Sequence, residues 1–302
     1  MEGRPSFSII IPTYRRPQQL GACLESIAQL QYPRDRFEVL VVSDGTEMPP
    51  EDIVRAFRDK LAVTLLTQTH GGPAAARNTG AARARGAVLA FIDDDCAPSA
   101  NWLEVLAKHV AASPDCTIGG HTVNALPENS CSVASQMLVD YLYSYFNANN
   151  DGVFFASNNI CVPADLFHGI GGFDPSFPTA AAEDREFCDR WVRRGYRLIY
   201  APEAVVYHAH SLTLLTFWRQ HFRYARGAVH LRQRQRVGSR GRAGIRPPSF
   251  YVNLLRYPFA HAPIGRAFRA SLLLAVSQAA TITGFSWEKI VRHLRSGRQT
   301  SS

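Results

Sequence analysis

Apolar runs of four to seven residues alternate with stretches of helical spacing through the first hundred residues, and this alternation restricts the fold more than any other feature. Phe7–Pro12 is a β-rich run closed by a proline, and Gln18–Leu30 places Leu20, Cys23, Leu24 and Ile27 on one helical face. Phe37–Ser43 reads as a buried strand, Ile53–Leu61 as a helix and Val63–Leu66 as a third strand. Pro73–Arg85 is an alanine-rich helix, Val88–Ile92 a fourth strand and Asn101–Ala112 another helix. Strands separated by helices of this length pair in parallel through right-handed crossovers, which predicts an open α/β sheet. Ligands of such sheets gather beyond the carboxyl ends of the strands. Thr13-Tyr14-Arg15-Arg16, Asp44-Gly45 and Asp93-Asp94-Asp95 occupy those positions, and His70-Gly71-Gly72-Pro73 leads into a helix.

Three adjacent carboxylates repel one another unless solvent or a cation absorbs the charge. A solvated acidic turn fits the triplet alone as well as a divalent ion does, and the strand-end position favours Mg²⁺ or Mn²⁺ with oxygen ligands. Gly71 and Gly72 open a helix whose free N–H groups suit an anion or a simple cap. Glu183-Asp184 opens a helix after the small-residue run Thr179–Ala182. A carboxylate there serves as a cap, or as a general base kept ionised by the positive end of the helix. His208 and His210 end a strand, where imidazole could complete a metal shell.

The rest of the chain is less regular. His121–Asp151 is aromatic and without clear period; strand signals return around Leu198–Tyr200 and at Ala204–Tyr207, after a helix over Asp184–Arg194. Sixteen of the 33 Lys and Arg follow residue 203, against the lone carboxylate of Glu288, so an acidic body precedes a basic terminal third. Leu212–Val229 reads as a basic, aromatic helix, Val237–Pro248 as a Gly/Arg/Pro linker and Phe250–Ile290 as apolar and aromatic. The expected division is 1–210 for a catalytic domain and 211–302 for a helical flank. With 46% hydrophobic residues the chain has ample core material, which argues against disorder. No basic start with a following apolar run suggests a secretory signal. Six cysteines without CxxC spacing suggest neither a disulfide frame nor a zinc site, and a cytoplasmic location fits them. The run Ser271–Phe285 is too short and too polar to span a bilayer.

Taken together, Phe7-Ser-Ile-Ile-Ile-Pro-Thr-Tyr-Arg-Arg16, Asp44-Gly45, Gly72-Pro-Ala-Ala-Ala-Arg-Asn78 and Phe91-Ile-Asp-Asp-Asp95 resemble the family 2 glycosyltransferases of GT-A fold. Gly171-Gly-Phe-Asp174, Glu183-Asp184 and Val206-Tyr-His208 follow in the family's order, so the resemblance covers residues 7 to about 230. It implies a Rossmann-like open mixed sheet flanked by helices, with a C-terminal helical flank, and an inverting transfer from a nucleotide diphosphate sugar. Pro12, Thr13, Tyr14 and Arg15 would line the nucleotide pocket. Asp44 would bond the base, Arg77 would reach the nucleotide, and Asp93 would contact the ribose with Asp94 beside it. Asp95 would hold Mn²⁺ or Mg²⁺, with Asp93 and His208 as further ligands. Asp184 would be the base, with Glu183 its neighbour. Glu183, Trp102 and the Gln220-His-Phe-Arg223-Tyr224 string, which matches a Gln-x-x-Arg-Trp motif except at Tyr224, would face the acceptor or the diphosphate. Ser43 departs from the family pattern, where a second aspartate often precedes Asp44.

UDP is the default donor nucleotide among relatives, and a glycan or lipid-linked precursor the expected acceptor. With no membrane-spanning run, transfer of a single sugar is expected rather than polymerisation. The basic flank reads as an attachment to an anionic membrane surface, peripheral at its inner face, or as helices packed on the catalytic domain. Two other classes remain open. A sugar nucleotidyltransferase should carry a Gly-rich basic loop after the first strand, where Pro12-Thr13-Tyr14 stands. A nucleic-acid-binding protein would use the basic-aromatic third, but no nucleic-acid module is present, so no nucleic acid is expected.

Overall fold

A computed structural model describes residues 4–45, 47–146, 154–177, 181–236 and 246–299. The chain divides into two compact units: Met1–Ala125, Tyr143–Pro178 and Glu183–His210 in the first, and Leu126–Leu142, Thr179–Ala182 and Ser211–Ser302 in the second.

The first unit is built on one eight-stranded sheet. Its strands are β1 (Phe7–Thr13), β2 (Phe37–Asp44), β3 (Val63–Gln68), β4 (Val88–Ile92), β5 (Cys96–Pro98), β6 (Thr117–Asn124), β7 (Asn159–Pro163) and β8 (Leu198–His208), in the order β3-β2-β1-β4-β7-β6-β8-β5. The four expected strands pair in parallel, β1 lying between β2 and β4. Antiparallel pairing of β7 with β4 and β6 makes the sheet mixed. Helices α1 (Pro17–Ile27), α2 (Glu51–Ala56), α3 (Gly72–Ala81) and α4 (Trp102–Ala112) are the crossovers. Alternation along β1 sends Phe7, Ile9 and Ile11 into one core with Leu20, Leu24 and Ile27 of α1 and Trp102 and Leu106 of α4. On the other side Phe91, Phe167, Phe173 and Phe187 meet edge-on or tilted at 4.8–5.5 Å, closing an aromatic layer under α6 (Ala164–Gly169) and α7 (Glu183–Arg193).

Two segments differ from expectation. The stretch read as irregular contains the end of β6 and a 17-residue helix, α5 (Ser130–Phe146). Its side chains are mostly half-buried around the whole circumference, so it carries no clean 3.6-residue period. The two expected strands at 198–200 and 204–207 are one strand, β8, whose register against β6 jumps from Gly120↔Ala201 to His121↔Val205. Pro202 lies in the skipped segment, where its missing N–H costs no ladder bond.

The second unit is helical. It contains α8 (Leu214–Arg236), α9 (Pro248–His261) and α10 (Ile264–Gln299), and α10 packs along α8 and α9. Ala267, Ala270, Leu274, Ser277, Ala280, Gly284 and Glu288 form the buried stripe of α10. These mostly small residues at spacings of three and four allow close helix contact. Most of the Gly/Arg/Pro linker and part of the run before Glu183 lie outside the described residues.

Candidate active site

Because β1 lies between β2 and β4 and all three run in parallel, their carboxyl ends deliver Thr13–Arg16, Asp44–Gly45 and Asp93–Asp95 to one edge of the sheet. β8 pairs with β5, where Cys96 faces His208, and so brings His208 and His210 to the same edge.

The structure gives the three aspartates different surroundings. Asp93 Oδ1 accepts from Arg77 Nη2 at 2.6 Å, while Arg77 Nη1 donates to Glu183 Oε1 at 3.3 Å. Arg77, expected at the nucleotide, is buried as a bridge between the triplet and the start of α7. Burial alone would lower its pKa, but Asp93 and Glu183 overcome this and raise it. Asp94 turns toward β1, accepting from Thr13 Oγ1 at 2.8 Å and from Arg16 Nη1 at 3.2 Å. Burial moves the Asp94 pKa up to about 6, although Arg16 and Thr13 oppose it.

Asp95 accepts from Arg16 Nη1 at 2.9 Å, and its carboxylate lies 3.2 Å from His208 Nε2 and 3.5 Å from His210 Nδ1. Burial would raise its pKa, but the two imidazoles and Arg16 outweigh burial and hold it well below the usual carboxylate range. His208 is shifted up in return, the Asp95 contact outweighing burial. Ligating atoms of Asp95, Cys96 and His208 all lie within 4.8 Å of one another. Cys96 is the weak member: burial beside Asp93 and Asp95 pushes its thiol pKa well up, so it stays protonated. The oxygen and imidazole pair fits a hard divalent cation, and Arg16 already balances the carboxylates with positive charge.

Asp44 is engaged with its own neighbours. Its carboxylate accepts from the N–H groups of Gly71 at 2.8 Å and Gly72 at 2.9 Å and from Gln68 Nε2 at 2.7 Å, and lies 3.0 Å from His70 Nδ1. These contacts make Asp44 a cap on the start of α3. Gly45 and Gly72 have φ of +76° and +83°, and a side chain at Gly45 would run into the backbone of His70. The Tyr14 ring lies 4.8 Å from that of His70, and the Arg15 guanidinium 5.2 Å from the Tyr14 ring. Pro12, half-buried, sits opposite Val42 and Thr13 opposite the buried Ser43.

Asp184 is half-buried in the first turn of α7 and accepts from the N–H of Arg185 at 2.7 Å. Burial raises its pKa, against Arg185 and Arg77, so the helix start does not by itself hold the carboxyl in its ordinary range. Glu183 beside it is buried on Arg77. Arg15 and Ala182, with φ of 55° and 73°, are the non-glycine residues in left-handed conformation among those described; each directly precedes a site residue, Arg16 and Glu183.

Trp102 is a correction. It is fully buried, and its indole N–H donates to Asn159 Oδ1 at 3.0 Å, so it stabilises the core and has no exposed surface to offer an acceptor. Gln220, Arg223 and Tyr224 are on α8 in the second unit, where buried Gln220 donates to Ser135 Oγ at 3.0 Å while Arg223 and Tyr224 are exposed. Sequence reasoning gave no role to Arg16, Gln68 or His70. The usable signal for Arg16 was a cation directly after a strand neighbouring the one that ends in the triplet.

The family model for glycosyl transferase family 2 matches residues 8–167, and that for glycosyl transferase family group 2 matches 88–288. The chain belongs to glycosyltransferase family 2. This membership decides against a sugar nucleotidyltransferase. Among relatives of this family 2 glycosyltransferase, "Glycosyltransferase AglE" of Haloferax volcanii is 26% identical over 239 residues, covering 78% of the chain and 77% of the relative. The pre-mycofactocin glycosyltransferase of Mycobacterium tuberculosis is 30% identical, covering 68% and 43%. The chain spans about half the length, or less, of most other curated relatives it matches. Mannosyltransferase PcManGT from Pyrobaculum calidifontis, solved with GDP-Man and Mn²⁺, shares the fold at TM-score 0.62 and 19% identity, over 92% of the chain and 87% of that structure. S. aureus TarS with UDP-GlcNAc aligns at TM-score 0.53 and 19% identity, over 95% and 92%.

Proposed function

We propose that this family 2 glycosyltransferase moves one sugar from a nucleotide diphosphate sugar, with UDP favoured, to an acceptor hydroxyl of a glycan or lipid-linked precursor, with inversion. The observation that carries this reading is geometric: Asp95 meets His208 at the strand ends, and Arg77 bridges Asp93 to Glu183, the neighbour of Asp184. Asp95, held ionised beside His208, is suited to a cation, whereas Asp184 is a carboxyl with a raised pKa, suited to taking a proton. Asp95 and His208 would hold Mn²⁺ or Mg²⁺, which when bound would neutralise charge on the leaving diphosphate. Tyr14 and His70 offer flat faces to the base, and Asp44 orients His70 and the start of α3. Arg77 ties Asp93 to Glu183 and so couples the donor side to the start of α7.

In the transfer, Asp184 accepts the proton of the acceptor hydroxyl as its oxygen bonds to the anomeric carbon. The bond from that carbon to the diphosphate breaks, and its electron pair leaves with the phosphate oxygen. One displacement without an enzyme nucleophile inverts the centre. Glycosidic-product NMR with a panel of nucleotide sugars and Mn²⁺ tests this. An anomeric configuration opposite to the donor's is expected, and a retained configuration would overturn the mechanism.

A further inference from the structure

Helix α10 carries two apolar stripes, and among the described residues only one is covered. Its inner stripe packs on α8 and α9. On the opposite side Ile264, Phe268, Leu272, Ile282, Ile290 and Leu294 are each 57–68% exposed. Ala275, Ala279 and Ser286, also exposed, fill the intermediate positions, so the outer series advances by three or four residues throughout. Such spacing keeps all nine on one face of the helix. Phe259 of α9 meets Phe268 edge-to-face at 5.0 Å and widens the exposed patch. A contiguous apolar strip of this length marks an interaction surface.

The charges around the strip select its partner. No ionisable side chain occurs between Arg269 and Glu288. The exposed cations Arg269 and Lys289 stand at its borders, Lys289 Nζ lying 4.6 Å from the centre of the Phe285 ring, and Trp287 is exposed beside them. The lone carboxylate of α10, Glu288, is on the inner side, bonded by Arg226 at 2.7 Å and Arg292 at 2.9 Å, and these arginines keep its pKa low despite burial. Residues 211–302 hold sixteen Lys and Arg and no other carboxylate. Two copies of a segment with so large a positive excess repel each other, whereas an anionic partner attracts it. Nucleic acid offers charge but nothing to receive the apolar strip. No helix among the described residues is long and apolar enough to cross a bilayer, and the inner face of α10 is already packed, so contact is along the membrane plane.

We propose that the outer face of α10 is a membrane-docking surface for anionic phospholipid. Ile264, Phe268, Leu272 and Ile282 enter the acyl boundary while Arg269, Lys289 and Trp287 lie at headgroup level. The surface acts independently of the proposed transfer chemistry.

The test is flotation of the full chain with vesicles of phosphatidylcholine alone or mixed with phosphatidylglycerol, in the absence of donor. The wild type is expected to float with the mixed vesicles and to dissociate at high salt. Phe268→Ser/Leu272→Ser/Ile282→Ser should abolish flotation while the variant still unfolds cooperatively, because these side chains are mostly exposed. Arg269→Gln/Lys289→Gln should weaken binding by roughly thirtyfold. Equal flotation with neutral vesicles, or an unaffected triple-serine variant, overturns the proposal. So does a wild-type dimer in light scattering that the triple-serine variant converts to monomer, which would assign the strip to a second copy. Nucleotide binding, followed in parallel by thermal shift, reports separately on the transferase reading.

Discussion

Arg16 Nη1 lies 2.9 Å from Asp95 Oδ2, and the same nitrogen is 3.2 Å from Asp94 Oδ1. A side-chain cation therefore already neutralises the carboxylate proposed to hold a divalent ion, and the two compete for it. Arg16→Gln is expected to bind Mn²⁺ more tightly than the wild type in calorimetry with the metal alone. Without metal it should lose on the order of 1 kcal/mol of stability, a small figure because the Arg16 side chain is 45% exposed and screened by solvent. Weaker Mn²⁺ binding by the variant would make Arg16 a supporting residue rather than a competitor.

Asp184 must be ionised to accept a proton, and burial raises its pKa. The acidic limb of kcat/KM is therefore expected above the range of an ordinary carboxylate, with activity rising as pH increases through the raised pKa. Asp184→Asn should keep nucleotide binding while lowering turnover by about 10² to 10⁴. The linkage has the opposite sign for stability: a raised folded pKa means that stability is lost as pH rises through it, so Asp184→Asn should be no less stable than wild type at neutral pH.

Trp102→Phe separates a core role from an acceptor role. Removing the indole N–H leaves Asn159 Oδ1 without that donor, while the amide of Asn159 still bridges to His121 O and Ala204 O. A loss of about 1–3 kcal/mol in urea unfolding is expected, with the acceptor KM unchanged. A raised KM at unaltered stability would restore Trp102 to the acceptor site.

The first four strands and their carboxyl ends were legible because buried parallel strands are continuous apolar runs and their ends carry the polar residues. What remained hidden depends on pairing between distant segments. The division of the aspartate triplet follows from Thr13, Arg16, Arg77 and His208, which approach it from separate elements. The cap formed by Asp44 on Gly71 and Gly72 needs β2 and α3 side by side. Helix α5 leaves no clean period in the sequence because its circumference is evenly half-buried, and a helix-start tryptophan such as Trp102 looks alike in the core and at a surface.

His221 on α8 is buried with no partner for its Nε2, and burial lowers its pKa to about 4. With the folded pKa below the unfolded value, the unfolded chain takes up a proton first, so stability is full above about pH 6.5 and falls as pH drops toward 4. Between pH 7 and pH 5 this residue should remove about 2 kcal/mol of stability. His221→Phe should flatten that part of the pH profile in urea unfolding, and an unchanged slope would place the acid sensitivity elsewhere.

On the proposed reading, Asp95 anchors a divalent cation for a nucleotide diphosphate sugar. Calorimetric titration of UDP and GDP into the full chain, with and without Mn²⁺, tests it most directly when repeated on Asp95→Ala. Wild-type binding of at least one nucleotide should require Mn²⁺, and Asp95→Ala should lose that Mn²⁺-dependent binding, while Asp184→Asn keeps it. Unchanged Mn²⁺-dependent binding by Asp95→Ala would remove Asp95 from the metal site.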